Sequence, residues 1–480
     1  MSEGGNSVSK AFLWSGIDNV LVQAIGFVVS ILMARELLPS DYGTVGMLTI
    51  FTAISMSFID GGFSRALIQY KYRTNTDMST VFYVNLAMGL FFYLVLFSCS
   101  PLIADFFNTP ILTDITRAIS LTLIINSLYL VQRTKLTIDL NFKAIALANM
   151  VAGIGGGFVG LSLVYLDYGV WSIVWMRIST SFFTLVVTWL QSKWKPLITF
   201  SVSSFKRLFN YGSKLLITGL YGPIFENLSS VIIGKKWSAA DLGFYTKANT
   251  LAQLPASNIT VMINRVSFPV LSQVQDEDEL LRYKYQTLIR VTYTIVSPLL
   301  LILIVIAKPL FVLLLTEKWL PAVPYFQILC GSGLFYAICA YNINIILVKG
   351  KSTLHLYLDI IKKIVGLVLL LIAVQFDILA ICLSTIVSGA FSWSLTACFS
   401  RNLIGLSMKQ QIKDVFRPLL IAITPALLVS FVGNYVSNDV LQMSLQAIVY
   451  FLIYIILSWM LNKDSSRILL SSIKSLTKKK

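Results

Sequence analysis

The sequence is poor in charge, nearly without histidine, and has no cysteine spacing that suggests a bridge or a metal. Of 480 residues, only 12% are Asp, Glu, Lys or Arg, about half the fraction usual in soluble domains. So few charges cannot clothe a water-exposed surface. His355 is the only histidine, which leaves no His/Cys metal cluster and no nucleophile–base pair. Cys99, Cys330, Cys339, Cys382 and Cys398 are odd in number and lack a Cys-x-x-Cys spacing, so they read as small core residues. No phosphate-binding glycine loop and no aromatic-basic patch is present, which argues against a nucleotide or nucleic-acid ligand.

Apolar residues make up 56% of the chain. They come in blocks of roughly 20, the length that crosses about 30 Å of hydrocarbon as a helix. The blocks predict an all-α integral membrane protein with about fourteen transmembrane helices. The first block is too long for a signal-peptide core and lacks an Ala-x-Ala-like cleavage site, so it is expected to be the first span. An even number of spans puts both termini on one side. Lys and Arg gather in the tails and in the loops of that side, which makes it the cytoplasmic one. The net charge of +16 then reflects topology and contact with anionic inner-leaflet lipid.

An internal repeat organises the blocks. At one constant separation Asp41 aligns with Asp241, Gly43 with Gly243 and Arg65 with Arg265. Further on, Pro101-Leu102 aligns with Pro309-Leu310 once the inward loop carrying Asp276, Glu277, Asp278 and Glu279 is counted as an insertion. Six spans per copy give two lobes in the same orientation, related by an axis along the membrane normal, with a central cavity between them. The expected organisation is an N-terminal lobe at 1–191, an amphipathic cytoplasmic linker at 192–213, a C-terminal lobe at 214–400, and two further helices with a basic tail at 401–480. Amphipathic segments around Phe205 and Phe209, and around Ile412 and Phe416, are expected to lie at the inner interface. The acidic run at 276–279 suits a helix start, and Gly155, Gly156 and Gly157 suit close helix packing.

Ionisable residues inside spans are costly in hydrocarbon, so each is a functional candidate. Arg65 and Arg265 fall at equivalent repeat positions, and paired guanidinium groups suit a multiply charged phosphate. The local alternative for Arg65 is an ion pair with Asp60. Arg177 lies inside the outer end of its span and is a further anion candidate. Glu226, three residues after the helix-opening Pro223, and Asp18 are candidates for coupling to a proton or sodium gradient. Asp60, Lys362 and Lys363 are secondary cavity charges, with Asp359 placed to neutralise the two lysines in part. Asp114 and Arg117 are expected to form a surface ion pair. No cofactor and no metal is implied.

Four stretches carry a family resemblance: 37–43 (LLPSDYG), 60–69 with its Asp-x-Gly and Ala-Leu-Ile-Gln, 265–275 (RVSFPVLSQVQ) and 317–319 (EKW). Leu140-Asn141-Phe142 agrees with them. These residues resemble the polysaccharide-transport, Wzx-type flippases of the multidrug/oligosaccharidyl-lipid/polysaccharide exporter superfamily. The resemblance implies two six-helix lobes around a central cavity plus two C-terminal helices, alternating between inward-open and outward-open forms. It implies undecaprenyl-diphosphate-linked oligosaccharide as substrate (an O-antigen, capsule or exopolysaccharide unit), with cationic cavity residues holding the diphosphate. Arg265 matches the family's arginine. It also implies the bacterial inner membrane, contact with membrane lipids, and a polysaccharide polymerase and chain-length machinery as partners. A multidrug exporter of the same superfamily is the alternative, which would need a carboxylate-lined apolar cavity. A membrane glycosyltransferase or polymerase would need large outward catalytic loops, and the outward loops here are short.

Overall fold

The computed structural model describes residues 2–432, 436 and 438–462, with certain side chains, that of Arg265 among them, outside the described set. Among the described residues every regular element is a helix. The chain forms two compact units, residues 1–243 and 244–480.

The first unit begins with α1 (Ser2–Glu36), followed by α2 (Pro39–Met47), α3 (Thr49–Asp60) and α4 (Phe63–Gln69), which together cross as one broken span. Next come α5 (Asn75–Phe107), α6 (Leu112–Ile119) and α7 (Leu121–Ile138), then the hairpin of α8 (Phe142–Tyr165) and α9 (Val170–Ser192), and finally α10 (Val202–Lys236). The second unit contains most of α11 (Ala239–Ser272), with α12 (Asp278–Val305), α13 (Ala307–Leu315), a 3-10 turn (Glu317–Ala322), α14 (Val323–Val348), α15 (Ser352–Ala373), α16 (Ile378–Ile404), α17 (Met408–Val432) and α18 (Asp439–Leu461).

Among the described residues eleven segments are long and apolar enough to cross a membrane. The expected fourteen includes α1, α11 and α15 as well, which are 35, 34 and 22 residues long. Polar caps punctuate the chain where the sequence changes character. Thr74 and Asp77 exchange backbone hydrogen bonds at the start of α5, a capping box. Asn141 caps α8 and Asp377 caps α16 through their side-chain oxygens. The expected acidic helix start is there too: Glu277 precedes α12, and Asp278 in its first turn meets Lys349 at 2.6 Å.

In the first unit α8 packs between α1 and α9. The glycine triplet permits this: a Cβ on Gly155 would lie 2.7 Å from Phe183, one on Gly156 2.0 Å from Thr180 Oγ1, and one on Gly157 2.6 Å from Val29. The segment around Phe205 is the first part of the continuous α10, and the segment around Ile412 is the first part of α17. Phe205 and Phe209 stack on each other and face Phe63. α10 packs in the first unit against α2, α3, α4 and α5. Gly62 and Gly212 set one approach, since a Cβ on Gly62 would meet the Gly212 carbonyl oxygen at 2.4 Å.

In the second unit Tyr285 donates to Asn342 Oδ1 at 2.7 Å, and Asn342 donates to Thr396 and Gln411. Arg290 pairs with the buried Asp414 at 2.5 Å, which fastens α17 to α12. Of the cysteines, Cys330 and Cys382 are buried, Cys99 and Cys339 are partly buried, and Cys398 is exposed.

Candidate functional site

Within the first unit, α1, α8 and α9 enclose a cavity of about 510 Å³. Helical spacing explains its walls. Val22, Ile25, Val29 and Met33 recur every three or four residues on α1, and Ile173, Met176, Thr180 and Thr184 do the same on α9. On α8 the facing positions are Asn149, Gly153 and Gly157, and the two glycines let α1 come close, since a Cβ on Gly153 would lie 3.1 Å from Ile25 and one on Gly157 2.6 Å from Val29.

Asp18 lies at one end of this cavity. Asn149 Nδ2 donates to both of its carboxylate oxygens at 3.1 Å. A neutral amide satisfies the oxygens without neutralising their charge. Arg133, on α7, lines the same cavity and makes no ion pair with Asp18. Tyr42 lines it from α2, with its hydroxyl 3.4 Å from the Ser30 carbonyl oxygen. Sequence reasoning missed Arg133 by assigning it to the inward loop after the fourth span. It lies on α7 more than a turn before the end of the helix at Ile138, and counting back from the turn at Leu140 would have found it.

The other candidates divide by whether another charge reaches them. Asp60 accepts from Ser64 Oγ at 2.5 Å, and Arg65 is exposed with no ion pair among the described residues. The local Asp60–Arg65 pair is therefore not formed. Glu226 is exposed on α10 and has no ion-pair partner among the described residues. One turn before it, Pro223 withholds a helical donor from the Gly219 carbonyl, which Ser57 Oγ approaches at 3.4 Å from α3. Arg177, one turn along α9 from Ile173, is partly buried and also unpaired with any carboxylate among the described residues. Lys362 and Lys363 both reach Asp359, at 3.3 and 4.0 Å, so that cluster partly neutralises itself.

Arg265 lies on α11 with its side chain outside the described residues. Its neighbours show how the motif is fixed: Asn344 on α14 donates to Ser267 Oγ at 2.7 Å and to Asn264 Oδ1 at 3.1 Å. Trp319 of the Glu-Lys-Trp motif is fully buried, edge-on to Phe244 and 5.8 Å from Lys247. The Asp114–Arg117 pair does not form. Arg117 instead donates to Ser100 Oγ at 3.0 Å and sits 4.6 Å above the Phe97 ring. Aromatic face and hydroxyl on the neighbouring α5 outcompete an exposed carboxylate one turn away. Among the described residues no group of His, Cys, Asp and Glu is placed to hold a metal ion.

At the N-terminal end of α5, Asp77 is fully buried and meets Arg207 of α10 at 2.5 Å. The Thr74 N–H and hydroxyl also donate to its carboxylate, at 2.8 and 3.0 Å.

Residues 32–324 match the family described as polysaccharide biosynthesis protein. Over its matched length the chain is 23% identical to the teichuronic acid biosynthesis protein TuaB of Bacillus subtilis, covering 72% of each chain. It is 23% identical to the lipopolysaccharide biosynthesis protein WzxC of Escherichia coli, covering 87% of this chain and 86% of that one. Its fold is that of the lipid II flippase MurJ in an inward closed conformation, with a TM-score of 0.77 at 14% identity over 94% of this chain and 99% of that one.

Proposed function

Because the chain belongs to the polysaccharide biosynthesis protein family, we propose that it is a flippase for lipid-linked oligosaccharide, working by alternating access in the bacterial inner membrane with both termini in the cytoplasm. Its substrate on this reading is an undecaprenyl-diphosphate-linked unit of an O-antigen, capsule or exopolysaccharide, handed on to a polymerase and chain-length machinery. Moving such a molecule means keeping two or more charges and many hydroxyls out of hydrocarbon. A polar path does this with no bond broken, so the protein acts as a transporter and not as an enzyme.

The observation that carries the reading is the set of charges on the helices of the first unit that no opposite charge among the described residues neutralises: Asp18, Arg65, Arg133, Arg177 and Glu226. Unpaired charges in spans are retained only where a polar ligand or water meets them. We assign Arg265, Arg65 and Arg177 to the diphosphate, and Glu226 and Asp18 to coupling with a proton or sodium gradient. Asp60 acts as a secondary cavity charge.

The test is deletion of the gene followed by leaflet-resolved measurement of lipid-linked oligosaccharide. The expected outcome is accumulation in the inner leaflet, reversed by the wild-type chain and not by Arg265→Ala or Arg65→Ala at equal membrane abundance. Normal outer-leaflet supply in the deletion strain would refute the flippase reading.

A further inference from the structure

Asp18 and Arg133 line the same cavity, yet they do not bridge, and Asp18 is instead held by Asn149. Opposite charges left apart around an open space are complementary to a group whose own charges are separated. A simple anion there would face Asp18 as well as Arg133, and a simple cation would face Arg133 as well as Asp18. A dipolar group satisfies both, its oxyanion against the guanidinium and its ammonium against the carboxylate.

The rest of the cavity specifies what is attached to that group. From Asp18 to Met33 the slot follows α1 for about 22 Å at 1.5 Å per residue. Val22, Ile25 and Met33 make this wall apolar. The volume of about 510 Å³ lies within the range of pockets that enclose one drug-sized ligand. The α1 wall is apolar beyond Asp18, while Ser30, Tyr42, Thr180 and Thr184 add hydroxyls elsewhere on the lining, so a single-chain amphiphile suits the slot.

We infer that this slot binds a zwitterionic single-chain lipid of the phosphoethanolamine headgroup type, with its phosphate on Arg133, its ammonium on Asp18 and its acyl chain along α1. The site uses none of the diphosphate-binding residues assigned above; it shares Asp18 with the proposed coupling role, so its test reads binding and not transport.

The experiment uses the full-length chain in lipid nanodiscs with a lysophosphatidylethanolamine that carries a diazirine in its acyl chain. Two further probes carry the same chain on a phosphate monoester or on a trimethylammonium group. Photolabelling mapped by mass spectrometry is expected in peptides of α1 and α9, with the zwitterionic probe labelling about tenfold more than either singly charged one, the ratio that one lost charged hydrogen bond produces. Arg133→Gln and Asp18→Asn should each reduce labelling to the level of the singly charged probes. Val29→Phe, which keeps both charges and blocks the slot, should abolish it, so loss does not rest on the charge variants alone. Equal labelling by all three probes, labelling unchanged in Val29→Phe, or label spread evenly over the exposed faces of α17 and α18 would each overturn the assignment.

Discussion

Gly43 and Gly243, aligned by the internal repeat, pack against each other's helix start within the first unit. A Cβ on Gly43 would lie 1.7 Å from the Ala239 carbonyl oxygen and 3.0 Å from the Gly243 nitrogen, and a Cβ on Gly243 would lie 1.8 Å from the Pro39 carbonyl oxygen. The contact is reciprocal, because Pro39 and Ala239 are themselves aligned. The same symmetry governs the caps: Asp41 accepts from the Leu38 N–H at 3.0 Å, and Asp241 accepts from the Ser238 N–H at 3.2 Å. Two aspartates and two glycines that identify the repeat thus have one structural task each, closing a helix start and letting two backbones touch.

Gly43→Ala is expected to destabilise the protein by about 1–3 kcal/mol, because the atoms it meets are backbone and cannot rotate away. Thermal unfolding of the purified chain in nanodiscs measures this. An unchanged melting temperature would show that the helix starts can separate at no cost.

Asp77→Asn should cost on the order of 1–3 kcal/mol through lost charge-assisted hydrogen bonds, with the partly exposed Arg207 contributing at the low end. Thermal unfolding of the purified chain in nanodiscs measures the loss, and an unchanged melting temperature in Asp77→Asn would show that this buried carboxylate adds nothing to stability.

Trp319→Ala removes one of the largest fully buried side chains and is expected to cost about 3–5 kcal/mol. Membrane abundance should drop, while Lys318→Ala, one residue away, leaves it near wild type. Equal losses for both would assign the motif a role other than packing.

Glu226→Gln keeps the shape of the side chain and removes its charge. Transport into the outer leaflet of reconstituted vesicles should then lose its dependence on an imposed proton or sodium gradient. Gradient-stimulated transport at the wild-type rate would take Glu226 out of the coupling step.

The chain's class was legible from the apolar blocks, and so was the acidic start of α12. Hydrophobic length, an acidic run before a helix, and a glycine triplet act over a few neighbouring residues, so α8, α12 and the Asp359–Lys362–Lys363 cluster agree with what local spacing predicts. Partners across helices were less legible. Nothing in the sequence distinguishes Asn149 from any other residue that Asp18 could meet, and the choice depends on how α1 and α8 are rotated about their axes. Arg117 illustrates the same limit, since its neighbour at helical spacing lost to Ser100 and Phe97 on another helix.

The sequence by itself determined that this is a membrane protein of repeated helical design, because crossing hydrocarbon demands long apolar helices whatever they pack against. Only the tertiary structure decided which buried charges are neutralised and which face open space. It set Asp18 and Arg133 around one cavity and left them unbridged, an outcome fixed by the close approach that Gly153 and Gly157 allow between helices far apart in the chain.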